Sequence, residues 1–192
     1  MEKLNIHNEQ QDDQDEITQH TGENEQPPHF LGTTRDGKRV YLRPDSHFHG
    51  EDGITYKTLE EAIPYIETND QDRVVSQVEF ERPIGIDKCV EVSPEDEVMM
   101  VYRKGRAGQT PMVKNREPEE SNLLQVMLKK NEAAPSEYAL VTTFVGKSAP
   151  KEPWDPSLES EAEKQESLNF WNTHALIYNE ELVDWERTKP AN

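Results

Sequence analysis

The sequence has one cysteine, Cys89, and no apolar run approaching the roughly 20 residues that span a bilayer. A single thiol excludes an internal disulfide and a thiolate zinc cluster. Nothing near Cys89 in sequence would lower its pKa decisively, so a buried, inert thiol is expected. The opening "MEKLNIHNEQQDDQDE" lacks the apolar region of a signal peptide, and a soluble, cytoplasmic protein with no membrane partner is the expectation. Cations are scarce: 21 Lys and Arg stand against 39 Asp and Glu, a formal net charge of -18 over 192 residues. Hydrophobic residues reach only 32%. That is lean for a globular chain, so part of the length is expected to lie outside the core.

What is present divides the chain in two. Residues 1–28 carry many acids against Lys3, abundant Asn and Gln, and end in "QPP". A disordered acidic arm is expected there. Residues 29–192 read as a single domain. "RVYLR" suggests a short strand after the turn "RDGKR". "TYKTLEEAIPYIET" places Leu59, Ala62, Ile63 and Ile66 at helical spacing, with Pro64 ending or kinking the helix. Period-two patterns follow: Val74, Val78 and Phe80 in "RVVSQVEF", Val98, Met100 and Tyr102 in "EVMMVYRK", Leu124, Val126 and Leu128 in "LLQVMLKK". "YALVTTFVG" is apolar on both faces, as a central strand would be. A Pro-rich connector at 149–156 leads to a closing helix with Leu168, Trp171, Ala175 and Tyr178 on one face. The expected fold is α+β, a mostly antiparallel sheet flanked by helices.

The stretch "VYRKGRAGQTPMVKNR", Val101 to Arg116, contains Arg103, Lys104, Arg106, Lys114 and Arg116 and no acid. It leaves one strand, passes a glycine-containing loop and returns, so its cations can meet phosphate oxygens. The same cations could instead solvate a hairpin tip or pair with the surplus of acids. Thr142 and Thr143 interrupt an apolar strand, one facing the core and the other a cleft. His174 can act as a buried structural imidazole or as a general acid and base. His47 and His49 alternate around Phe48 near acids, but spacing identifies no third ligand, and a polar loop is expected. No metal and no cofactor is assigned.

"RVVSQVEFERPIGIDKCV", "RKGRAGQTPMVKNREPE", "YALVTTFVGKSAPKEPWD" and "SLNFWNTHALIY" resemble an uncharacterised bacterial and mobile-element family of hypothetical proteins. The order of elements is similar to the barnase, EndoU, colicin and RelE-like superfamily of metal-independent ribonucleases. That resemblance implies attack of a ribose 2′-hydroxyl on its phosphate. His174 would then titrate and Arg103, Arg106, Lys114 and Arg116 would stabilise charge. Thr142 or Thr143 would hold a phosphate or hydroxyl, and Tyr102 and Lys104 would contact RNA. The net charge supports a different class: a non-enzymatic acidic binder, either a nucleic-acid mimic or an inhibitor of a basic protein partner.

Overall fold

The computed structural model describes residues 28–48, 50 and 53–188. The arm expected over residues 1–28 therefore lies outside the described residues except for Pro28, as do His49, Glu51 and Asp52 of the polar loop. The chain is α+β and is organised around two main sheets.

The first sheet has the order β1-β2-β11-β10-β4, with β3 also paired to β11. Its strands are β1 (His29–Thr33), β2 (Arg39–Leu42), β3 (His47–Phe48), β4 (Arg73–Glu79), β10 (Leu123–Asn131) and β11 (Ala134–Val145). The doubly apolar segment does become the central strand, β11, which pairs antiparallel with β10 and parallel with β2 and β3. Alternation sends Leu124, Val126, Leu128, Tyr138 and Leu140 to one face. Helix α1 (Tyr56–Ala62) covers that face through Leu59 and Ala62, and the following turn adds Ile63 and Ile66. The helix begins where Thr55, in extended conformation, accepts from the Thr58 amide. It tightens into a 3-10 turn over Ile63–Tyr65, where Pro64 occupies a first-turn position that needs no amide donor.

The second sheet has the order β6-β12-β8-β7. Its strands are β6 (Cys89–Glu91), β7 (Val98–Tyr102), β8 (Gln109–Val113) and β12 (His174–Ile177). A small ribbon, β5 (Gly85–Asp87) with β9 (Glu119–Ser121), lies between them in sequence. Gly146, at φ +99, lets Asp87 close over the end of β11; a Cβ there would lie 2.2 Å from the carboxyl carbon. Asp87 then accepts from the Cys89 and Lys147 amides.

The closing helix is shorter than its periodicity suggests. Helix α2 (Glu161–Trp171) opens on a capping box between Ser160 and Glu163 and stops at Trp171. His174 to Ile177 form β12 instead, antiparallel to β6 and parallel to β8. Ala175 and Tyr178 are therefore not on the helical face with Leu168 and Trp171. An apolar tetrapeptide fits either period, and the open place between β6 and β8 decides for the strand. A short helix, α3 (Trp185–Thr188), follows. Among the described residues no helix is long and apolar enough to cross a membrane.

Candidate functional site

The basic stretch folds as the β7–β8 hairpin. Its loop is covered by the chain that follows. Arg103 lies 2.8 Å from Glu152, a carboxylate only 7% exposed that also accepts from Thr110 at 3.3 Å. The Arg103 backbone bridges to Val183, and the Lys104 amide donates to Leu182. Arg187 donates to the Arg106 and Ala107 carbonyls at 2.7 and 2.9 Å and lays its guanidinium 4.1 Å from the centre of the Tyr102 ring. Trp154 packs against Gly108, where a Cβ would lie 2.2 Å from the indole, and donates to the Gln109 carbonyl. One face of Tyr102 is thus taken by a guanidinium.

Arg116 pairs with Asp96 at 3.2 Å and with Glu119, and donates to the Glu91 carbonyl. The hydrogen bond from Arg116 to Asp96 raises the guanidinium pKa, while the Ser93 amide holds the Asp96 carboxyl below its usual range. Lys114 sits 5.7 Å from the centre of the Tyr178 ring. Of the five cations in this stretch, Lys104, Arg106 and Lys114 are exposed, and no ion pair to them occurs among the described residues.

His174 lies on a strand with Nδ1 3.1 Å from the Phe170 carbonyl and 3.0 Å from the Thr173 hydroxyl. Its ring stacks on Phe170 at 4.0 Å. Thr143 is fully buried and donates to the Gln125 carbonyl, whereas Thr142 is half-buried and pairs with His47 across β11 and β3. The two threonines belong to the first sheet, and His174 and the hairpin cations to the second. Cys89 is half-buried, and burial, with the Asp87 charge beside it, pushes its thiol up to about 12. It stays protonated near neutrality.

The face of the first sheet opposite α1 carries a different arrangement. A groove of about 580 Å³ has Arg43, His47, Arg73 and Lys129 on its walls and Ala139 and Val141 along its floor. Arg73 and Lys129 are direct cross-strand partners, and Lys129 is in turn opposite Ala139. Residues so paired share a face with Cα atoms about 5 Å apart, and like charges there oppose folding. Among the described residues no carboxylate lies within ion-pair distance of Arg43, Arg73 or Lys129, although Asp45 and Glu132 also line the groove. Lys130 is engaged with Asp70. The turn carrying Arg43 and His47 is held to the sheet by Ser46, whose hydroxyl accepts from the Arg43 amide and donates to the Leu140 carbonyl. The cations therefore stand on fixed backbone. Among the described residues no group of three metal-ligating side chains occurs.

Sequence reasoning missed this groove because its cations lie far apart along the chain. The available signal was facial: Arg73 and Lys129 sit on the outward period of strands whose other period is apolar.

No family model matches the chain, and no curated protein does. Among solved structures, the chain is similar to a conserved hypothetical protein from Toxoplasma gondii ME49. The likeness is 10% identity and a TM-score of 0.44, covering 72% of this chain and 95% of that one. A resemblance of that size carries no functional argument.

Proposed function

We propose that the protein binds RNA through its phosphates, in the manner of a metal-independent ribonuclease, and that the site is the groove on the outer face of the first sheet. The observation that carries this reading is the direct opposition of Arg73 and Lys129 with no carboxylate paired to either among the described residues. A protein with 39 acids has ample means to neutralise such a pair. Leaving it open favours an anion from outside. Arg43 adds a fork suited to paired phosphate oxygens. His47 supplies an imidazole for proton transfer, with the Thr142 strand segment beside it. The apolar floor suits the sugar and base of a single strand more than a duplex. A cytoplasmic setting and a bacterial or mobile-element origin accord with this reading.

The hairpin contributes less than its composition suggests. Arg103 and Arg116 already have acids, leaving Lys104, Arg106 and Lys114 as outlying cations. That pairing is the observation favouring the second reading, an acidic binder of a basic protein. Anisotropy of a labelled single-stranded RNA at low salt separates the two. Wild type should bind, with log affinity falling against log salt by about 0.7 per phosphate neutralised. Arg73→Gln/Lys129→Gln should weaken binding at least tenfold without loss of thermal stability. Absence of binding by wild type, with capture of a basic protein instead, would replace the RNA reading by the second.

A further inference from the structure

We propose that two copies of the chain join their first sheets edge to edge, β4 against β4 in antiparallel register about Ser76, so that Arg73 of each stands opposite Glu79 of the other. Such pairing goes beyond the preceding reading and does not depend on what the groove binds.

The β4 edge is open. Within the first sheet β4 pairs with β10 alone. The Phe80 amide donates to the Asn122 carbonyl and the Lys130 amide to the Asp72 carbonyl, one position beyond each end of the β4–β10 ladder. Opposite residues of an antiparallel pair exchange hydrogen bonds at every second position, so the even-numbered residues of β4 turn their amides and carbonyls to β10. Those of Arg73, Val75, Gln77 and Glu79 face away, and no hydrogen bond to these backbone groups occurs among the described residues. Other edges are blunted. Strand β1 carries a bulge between Phe30 and Gly32, and β7 is capped where the Asp184 amide donates to the Tyr102 carbonyl and the Tyr102 amide to the Thr188 hydroxyl. Strand β4 runs seven residues with neither bulge nor proline, and a straight open edge is a template for a further strand.

Its side chains fit a second copy of itself. A two-fold axis normal to the sheet keeps outer face with outer face, so edge-facing residues meet edge-facing residues. Centred on Ser76, the register sets Arg73 opposite the partner's Glu79 and Val75 opposite the partner's Gln77, and it uses all four open positions of each copy. Moving the axis by one residue either way parts Arg73 from Glu79 and leaves an open position beyond the end of the other strand. Arg73, Val75, Gln77 and Glu79 are all exposed, while on the inner face buried Val74 meets the partner's Val78. Opposite charges directly across a strand pair favour it and like charges oppose it. The partner also reaches the groove: its Glu79 stands beside Arg73 on the side away from Lys129, relieving the like-charge opposition there. A guanidinium has five donors, enough for that carboxylate and an anion in the groove together.

The interface is small and each copy carries a net charge of -18, so the dimer is weak. Sedimentation equilibrium of the full chain should show the mean mass climbing from 22.2 kDa toward twice that between about 1 and 500 µM. Arg73→Glu and Glu79→Arg should each weaken self-association at least tenfold, since each sets like charges at both ends of the pair. An equimolar mixture of the two variants should associate within about threefold of wild type, because every end again joins opposite charges. Val75→Pro removes an amide that β10 does not use, so it should keep the thermal midpoint of the dilute protein and abolish the dimer. Wild type that stays at 22.2 kDa throughout overturns the inference and leaves RNA binding untouched. Dimers that persist in both charge variants, or in Val75→Pro, would place the interface elsewhere and overturn it equally. A mixture that stays monomeric would refute the register. A wild-type dimer that binds no RNA would uphold the pairing and overturn the RNA reading instead.

Discussion

The two sheets use charge in opposite ways. The first buries a continuous apolar layer, Leu59, Ile63, Val126, Leu128 and Tyr138 among others, and carries Arg43, Arg73 and Lys129 on its other face without ion-pair partners among the described residues. The second has two small clusters, Val90 with Val113, Ala175 and Ile177, and Val101 with Met112 and Val183. Adjacent Met112 and Val113 belong to different clusters, so each face of that sheet has little to bury. Polar contacts complete it: Arg103 with Glu152 and Thr110, Arg116 with Asp96, and Arg187 on two carbonyls. An arginine is thus structural where the core is thin and an acid is close. It is free to bind where a large core already secures the strand.

The largest effect is expected in the first core. Leu128→Ala should cost about 2 to 5 kcal/mol by denaturant titration, since the side chain is fully buried and its neighbours cannot all collapse. A cost well below that range would mean that the second sheet, not the first, secures the fold.

The sharpest test substitutes the same residue type in each sheet. Arg103→Gln should destabilise by about 3 kcal/mol, because Glu152 is left buried without its partner. Arg73→Gln should stabilise by a few tenths, about 0.2 to 1 kcal/mol, by relieving Lys129. Equal signs in thermal melts would erase the distinction between the two sheets. Gly108→Ala should come next, at about 1 to 3 kcal/mol, by pushing Trp154 off the hairpin. Tryptophan emission should shift to the red with it.

Asp36 offers a pH test in the first sheet. Burial raises its pKa, but hydrogen bonds from Thr68, Thr34 and neighbouring amides outweigh that and bring it from 3.8 to about 2. A depressed carboxyl contributes stability above its unfolded pKa and loses it as pH falls through the folded value. Acid unfolding should therefore steepen between about pH 4 and pH 2, and Asp36→Asn should flatten that limb. Smallest of all, a chain starting at His29 should keep its thermal midpoint within about 4 °C, equivalent to no more than about 1 kcal/mol.

Strand and helix identities were largely readable. The outward-and-inward alternation of "RVVSQVEF" and "LLQVMLKK" and the doubly apolar "YALVTTFVG" report burial directly, and burial follows the strand period. The β12 segment was not readable, because "HALI" satisfies a helical pattern continued from Trp171 and only the place between β6 and β8 selects the strand. Trp171 followed the same limit. It is half-buried with its indole donating to the Pro150 carbonyl, so it anchors the connector at the edge of the domain.

The sequence alone determined which residues are apolar and at what period, and so strands β2, β4, β7, β10 and β11, the α1 helix and the α+β class. Local chemistry suffices for those: side-chain burial and backbone preference act over a few residues. It also determined that cations cluster at 103–116. Which cations remain available was decided by tertiary structure. Glu152 reaches Arg103 across 49 positions, while Arg73 and Lys129 meet through a strand register. Ion pairing falls off within ångströms in space and has no dependence on separation along the chain. A cluster in sequence could therefore be neutralised by distant acids, and a site could be assembled from cations that sequence kept apart.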